Sequence, residues 1–364
     1  MPKLYREGKA VISSGGAFVN SAAKLTRDVG LAIAAQLGGG YSVLDCTSAT
    51  GIRGIRYSLE AGAGSCTMLE INRTAFSSLK RNVARNRVCA TALNTSVQEF
   101  ANSCGEKFDV IDLDPFGSVQ PYLNDLMKLA MGGTLLFATA TDTAVLCGAH
   151  HGACLRVYGS VPMHNELCKE AGIRILVGQI ARTASQFNFG IRPLLSMNYR
   201  HYMRVHVRIE HGQGAASKAV KSIGFIFYCN GCGERGTLGG LIPNRLDCPA
   251  CGARLQLAGP LWTGSMQDTD TLKVVCERCG DGSGTLSRLC GEIDTPVLYS
   301  IPKMTKRLGM RSVSPSAVIA ELKGAGHDAT LAHFDPSYVR TGAGAKEMAE
   351  SVRKAEGRQR GGEG

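Results

Sequence analysis

Between residues 41 and 140 the chain alternates short apolar runs with amphipathic stretches, an order that predicts parallel strands joined by crossover helices. Four runs read as strands: residues 41–46, 66–70, 108–113 and 133–139. Between the second and third, Phe76, Leu79 and Val83 recur at helical spacing, with Lys80, Arg81 and Arg85 mostly off that face, as on a solvated helix. Residues 174–181 and 197–210 predict two further strands. In the latter, Met203, Val205, Val207 and Ile209 alternate with Arg204, His206, Arg208 and Glu210, so one face is expected buried and the other wet. Residues 211–222, HGQGAASKAVKS, are small and polar and read as a linker. Beyond them come a cysteine-rich region of short strands to about residue 290, a helix near Pro315–Gly324, and from Thr341 a Gly-bearing tail expected to fray. The predicted fold class is α/β: a doubly wound sheet over residues 1–215, a second, α+β domain over 220–345 and a disordered tail over 346–364.

Composition narrows the function. The chain has 364 residues, 44% hydrophobic and 20% charged, enough for two domains and too globular for a disordered protein. Lys and Arg number 41 against 30 Asp and Glu, and the net charge of +11 favours a polyanionic partner. The most apolar stretch, 132–149, is interrupted by Asp142 and four threonines, too polar for a bilayer core, so no membrane role is expected. The opening MPKLYREGKA lacks the apolar run of a signal peptide, which implies a reducing, cytoplasmic setting. The fourteen cysteines are then thiols or metal ligands rather than a disulfide framework. Seven lie singly before residue 215; of the seven after it, six form CxxC pairs.

Three points carry chemistry. The first strand runs into VLDCTSATGIRGIR, where Asp45 leads through small residues to Gly51 at a helix start, a turn whose amides can approach a ligand. Glu70 stands at the end of the second strand, where a nucleotide-binding fold puts the carboxylate that accepts both ribose hydroxyls; an exposed acid capping the next helix is the alternative. The third strand ends in VIDLDPFGS, converging Asp114, Pro115 and Phe116 on the same edge. That arrangement suits methylation of an exocyclic amine. The Asp114 carboxylate accepts hydrogen bonds from the amine, localising its lone pair, and takes the released proton, while Phe116 stacks on an unpaired base. An Asp-Pro turn that merely closes a strand is the alternative.

Cys229-x2-Cys232, fifteen residues, then Cys248-x2-Cys251 has the two-knuckle spacing of a structural zinc ribbon. A closed four-sulfur shell leaves no position for substrate, so its role would be folding. Cys276, Cys279 and Cys290 supply three more thiols without an obvious fourth ligand, and Cys147, His150, His151 and Cys154 have a metal-like spacing of their own. Arg235, Arg245 and Arg254 near the ribbon either face nucleic acid or are solvated. Lys303, Lys306, Arg307 and Arg311 form the best phosphate-contact patch.

Taken together, KLTRD at 24–28, SATGIRGIR at 48–56, DLDPFGS at 112–118, ATDTAVLCG at 140–148, GPLWTG at 259–264 and HFDPSYVRT at 333–341 resemble the archaeal and eukaryotic tRNA (guanine-26) dimethyltransferase family, over residues 7–345. The resemblance implies a Rossmann-like class I methyltransferase sheet with an antiparallel last strand and S-adenosylmethionine as methyl donor. It implies that Arg27 and Arg56 contact the donor, Glu70 holds its ribose, Ser96 and Val97 flank its adenine, and Asp114 is catalytic with Phe116 beside the base. Ser96 and Val97 depart from the family's usual Asp-Ala pair, and no CxxHHxxC metal site belongs to the pattern. The partner implied is tRNA, with no obligate protein partner. Rival readings are an amino-methyltransferase of rRNA or DNA and a non-catalytic zinc-ribbon RNA-binding protein. A dinucleotide oxidoreductase is disfavoured by the missing GxGxxG.

Overall fold

The computed structural model describes residues 4–14, 19–280 and 284–361. A hairpin of β1 (Leu4–Glu7) and β2 (Ala10–Ser13) opens the chain. The main sheet comprises β3 (Ser42–Asp45), β4 (Ser65–Leu69), β5 (Ala90–Leu93), β6 (Val110–Leu113), β7 (Leu135–Ala140), β8 (Phe189–Tyr199) and β9 (Tyr202–His211). Its order is β5-β4-β3-β6-β7-β9-β8; β3 to β7 are parallel and β9 runs antiparallel to β7, as the resemblance implied. Strand order reverses at β3, so a crevice opens beyond the carboxyl ends of β3 and β6. β6 and β7 are buried along their whole length, which is why both read as mainly apolar runs, interrupted only by Asp112 and Thr139.

The second region begins with an antiparallel sheet of β10 (Ile223–Cys229), β11 (Arg235–Gly239) and β12 (Leu255–Trp262), β10 central. It ends with β13 (Leu298–Ser300), β14 (Ala329–Ala332) and β15 (Asp335–Thr341), β15 central. Ile226, Ala258 and Leu261 of the first of these sheets share one core with Ile175, Val177 and Ile180 of the helix Cys168–Ser185. The hydrophobic interior therefore runs on across residues 215–220. Buried ion pairs cross the same boundary: Arg235 to Glu166 at 2.9 Å and Arg340 to Glu170 at 2.8 Å.

Several expectations are overturned. Residues 174–181 belong to the helix Cys168–Ser185. That helix is covered on more than one side, so its apolar positions lose the 3.6-residue period and mimic a buried strand. Residues 197–210 fold as two strands that turn at Arg200, whose φ is +53°. The polar face of β9 is wet only at its far end: Arg204 and His206 are fully buried, Arg204 against Asp112, while Arg208 and Glu210 are partly exposed. The short edge strand β5 escaped the pattern altogether.

The supposed linker contains a helix, Gln213–Lys221, favoured by its alanines and buried through Ala216 and Ala219. The tail expected to be disordered forms the helix Ala345–Gly361, because Met348, Val352 and Ala355 recur one helical turn apart and are buried against Val318 and Leu322. Cys276 and Cys290 form a disulfide, contrary to the expectation of free or metal-bound thiols, and Cys279 remains a half-buried thiol. Arg235 does not face solvent; it stacks on Tyr299 at 4.0 Å and donates to the Leu298 carbonyl.

Candidate active site

The crevice is a cavity of about 600 Å³. Cys46, Thr47 and Ala49 line it from the turn after β3, Leu69, Glu70 and Ile71 from the end of β4, and Thr95, Ser96, Val97 and Gln98 from beyond β5. Asp114, Pro115 and Phe116 line it from the end of β6, Thr139 and Thr141 from β7, and His201 and Tyr202 from the β8–β9 hairpin. Sequence reasoning placed Asp114, Phe116, Glu70, Ser96 and Val97 at one site, and the fold brings all five to this cavity.

The turn after β3 carries Ala49 at φ +46° and Gly51 at φ +79°. A Cβ at Gly51 would stand 2.4 Å from Leu79 Cδ1, so both the conformation and the space require glycine. The amides of Ser48 and Gly51 donate to the Leu69 and Ser48 carbonyls, and that of Ala49 donates to Glu70 Oε2 at 2.8 Å. These donors hold the turn's own shape. Glu70 Oε1 also accepts from the Asn72 amide at 2.7 Å, so this carboxylate braces the loop as well as facing the cavity. Ser96 is the N-cap of Val97–Ser103 in a reciprocal capping box with Glu99, its hydroxyl accepting from the Glu99 amide at 3.1 Å.

Asp114 is held from two sides: its amide donates to Thr47 Oγ1 at 3.1 Å and its carboxylate pairs with Arg53. Arg53 reaches Asp112 as well, at 3.5 Å, and Asp112 Oδ2 accepts from Tyr57 and Arg204, each at 2.7 Å. Burial alone would raise the Asp112 carboxyl, but the Arg204 and Arg53 guanidiniums hold it below its ordinary value. One strand away, burial and the Asp112 charge push Asp45 up to about 7, against the opposing pull of Arg53. Burial and Arg204 drive His206 well below the usual imidazole range, so it stays neutral. Phe116 sits at the mouth, 82% exposed, after a turn in which the Gly117 amide donates to Thr141 Oγ1.

The basic residues divide differently from the expectation. Arg56 pairs with Glu7, Asp28 and Glu60 at 2.7–2.8 Å and, among the described residues, lines neither this cavity nor the hollow of about 70 Å³ beside it. Arg27 pairs with the same Glu7 at 2.5 Å, and it does line that hollow, with Asp45, Thr47 and Arg53. Burial opposes ionisation of Glu7, yet Arg27 above all keeps its carboxyl below the ordinary value. Arg53 is the residue that sequence reasoning missed. The motif SATGIRGIR offers both arginines without choosing between them; the fold puts Arg53 in the first turn of Ile52–Glu60, at the sheet edge, and Arg56 one turn further from the cavity.

Away from the cavity, Cys229, Cys232, Cys248 and Cys251 form the one metal-capable group among the described residues, their sulfurs all within 4.8 Å of one another. The pairs Cys229–Cys251 and Cys232–Cys248 stand at 3.5 Å. A tetrahedral zinc with bonds of about 2.3 Å spaces its sulfurs by about 3.8 Å, so the cluster fits that ion. Cys154 is instead packed in the main core, and His150 precedes the helix His151–Tyr158. Lys303, Lys306 and Arg311 are exposed, as are Arg245 and Arg254. Arg307 donates to the carbonyls of Asn230 and Gly231, bracing the first knuckle.

Residues 3–353 match the family model of N2,N2-dimethylguanosine tRNA methyltransferases. A tRNA (guanine(26)-N(2))-dimethyltransferase of Methanothermobacter thermautotrophicus is 35% identical over 351 residues, covering 92% of this chain and 91% of that protein. One from Haloarcula marismortui is 35% identical over 319 residues, covering 85% of each. Among solved structures, Trm1 of Pyrococcus horikoshii in complex with S-adenosyl-L-methionine superposes with a TM-score of 0.88 at 30% identity, over 96% of this chain and 99% of that one.

Proposed function

The chain belongs to the N2,N2-dimethylguanosine tRNA methyltransferase family, and we propose that it methylates the exocyclic amine of a tRNA guanine in the cavity beyond β3 and β6. The donor is S-adenosylmethionine and the target guanine is position 26, the position named for its relatives. The observation that carries this reading is the convergence of Asp114 and Phe116 on one side of the cavity with Glu70 on another.

When bound, the donor supplies an electrophilic sulfonium methyl. Glu70 would hold its ribose, Ser96 and Val97 its adenine, and Arg27 its carboxylate in the adjoining hollow. Arg56 acts one step back, by fixing Glu7 against Arg27. A guanine must leave its stack to reach Asp114, and Phe116 at the mouth offers a ring to replace the lost stacking. The Asp114 carboxylate then accepts from the amine N–H, which draws the nitrogen lone pair out of the ring, and takes the proton when the N–C bond has formed. Arg53 keeps that carboxylate aimed into the cavity. A second methyl requires the monomethylamine to turn its remaining hydrogen to the same carboxylate, after fresh donor has bound.

Zinc in the four-cysteine cluster would act structurally, closing the turns that join β10 to β11 and precede β12. The exposed Lys303, Lys306, Arg311, Arg245 and Arg254 are the residues of the second region that suit phosphate contacts. No described helix is long and apolar enough to cross a membrane; a tRNA substrate suits a cytoplasmic enzyme.

The test is incubation with labelled S-adenosylmethionine and a tRNA transcript, followed by nucleoside mass spectrometry. Mono- and dimethylguanosine at position 26 are expected, and their absence sinks the reading. Asp114→Ala should lower the rate by roughly 10²- to 10⁴-fold with donor binding retained; an active variant would refute the role of this carboxylate.

A further inference from the structure

The turn that carries Phe116 is fastened on both sides of the ring. On the Asp114 side the holds are Thr47 and Arg53. On the other side they come from the end of β7 and the segment after it. The Gly117 amide donates to Thr141 Oγ1 at 2.6 Å, and the Thr141 amide donates back to the Gly117 carbonyl at 3.0 Å. One residue further, a chain of hydrogen bonds runs from the Gln120 amide to Ser118 Oγ at 3.1 Å, from that hydroxyl to Tyr158 Oη at 2.9 Å, and from the phenol to the Asp142 carboxylate at 2.9 Å.

The segment on which the turn rests is itself well anchored. β7 is buried throughout, and directly after Thr141 the Val145 and Leu146 amides donate to the Asp142 carbonyl as the helix Thr143–Leu146 begins. The turn depends on that anchor. Gly117 has a φ of +85°, in the left-handed region, and a Cβ added there would meet nothing within 4 Å, so hydrogen bonds rather than packed neighbours hold this residue. Phe116 is 82% exposed, so its ring is aimed more by the backbone that carries it than by packing. Of the two bonds between Gly117 and Thr141, only the one to the hydroxyl is open to a side-chain change; the other joins backbone to backbone.

We propose that Thr141 is a positioning residue for the methyl transfer: its hydroxyl, by accepting from the Gly117 amide, sets the place of the Phe116 ring and with it the place where the extruded guanine offers its amine to Asp114. The inference rests on the reading of Phe116 as the surface on which that base stacks. Misplacing a reacting group by about 1 Å costs about 10²-fold in rate. The loss here is milder, because the reciprocal backbone bond and the Ser118–Tyr158–Asp142 chain remain when the hydroxyl is removed. Thr141 also lines the cavity, so direct contact between its side chain and the base is the competing role that the test must separate.

The experiment is a double-mutant cycle on the full chain with a tRNA transcript, read as kcat/KM for the tRNA. Thr141→Val keeps the shape of the side chain and loses the acceptor; it should lower kcat/KM roughly ten-fold. Thr141→Ser, which keeps the hydroxyl, should recover most of that loss. In a Phe116→Ala background the same Thr141→Val change should cost less than about twofold, because no ring remains to be placed. A loss that persists undiminished without the ring overturns the proposal and marks direct contact with the base or a general weakening of the fold. Unchanged kcat/KM in Thr141→Val alone overturns it as well. Donor affinity by calorimetry should match wild type in every variant, since the donor's loops lie beyond β4 and β5. Wild-type kcat/KM in Phe116→Ala would instead defeat the stacking reading on which the inference rests.

Discussion

Arg53 shows how much one side chain settles in this site. It lies between a fully buried carboxylate, Asp112, and the cavity-facing Asp114, and its planar fork serves both. Lysine has the charge but not the fork, so Arg53→Lys should keep donor affinity while slowing single-turnover transfer roughly ten- to hundred-fold through misplacement of Asp114. Calorimetry with the donor and quenched-flow rates separate the two effects, and an unchanged rate would remove Arg53 from the mechanism. Residue types and their order made Asp114, Phe116 and Glu70 visible, because each ends a strand at the edge where a doubly wound sheet binds ligands. Arg53 and Arg56 are three apart in one motif, and nothing in that spacing tells which of them meets Asp114. The outcome depended on Glu7, Asp28 and Glu60, which surround Arg56 in space.

At the scale of elements, periodicity succeeded where one face of a segment is solvated and failed where no face is. The helix Arg73–Asn86 was legible from its alternating sides, whereas Cys168–Ser185, buried from Ala171 to Val177 without a break, looked like a strand. Composition misled for the opposite reason in the last helix: six glycines among charges suggested fraying, but a single stripe of Met348, Val352 and Ala355 docks it. The cysteine knuckles are the element most open to test. Their strands pack into the main core through Ile226, Ala258 and Leu261, whereas the knuckles themselves rest on a small cluster, Phe227, Cys229, Cys248 and Leu255, which a metal would tie together. Protein purified without chelator should contain about one zinc per chain. Its removal should lower the melting temperature and tRNA affinity while leaving donor affinity within about threefold, since the donor site lies in the main sheet. Metal analysis that finds no zinc ends this reading.

Across the whole molecule, two regions that look separate in composition are fastened by buried charge. Glu292 accepts from Arg340 at 2.7 Å and faces His333 Nδ1 at 2.5 Å, and Arg340 continues to Glu170 on the helix Cys168–Ser185. The Asn198 amide donates to His333 Nε2, which keeps the ring proton on Nδ1, toward Glu292. Burial works against the Glu292 charge, but Arg340 and His333 hold its carboxyl at about 2, against an ordinary 4.5. A carboxyl depressed by folding stabilises the folded state fully above pH 4.5 and loses that contribution as pH falls toward 2. Urea unfolding of Glu292→Gln should therefore show its largest deficit against wild type above pH 4.5, shrinking toward pH 2; a deficit that grows on acidification contradicts the assignment. The linear order of residues was enough for the sheet class, the strand-end carboxylates, the phenylalanine beside them and the four knuckle cysteines, because each depends on neighbours a few positions away. Which arginine reaches Asp114, which polar residues of β9 lie buried, and how the second region shares the first one's core depend on residues scores of positions apart, and those meetings exist only once the chain has folded.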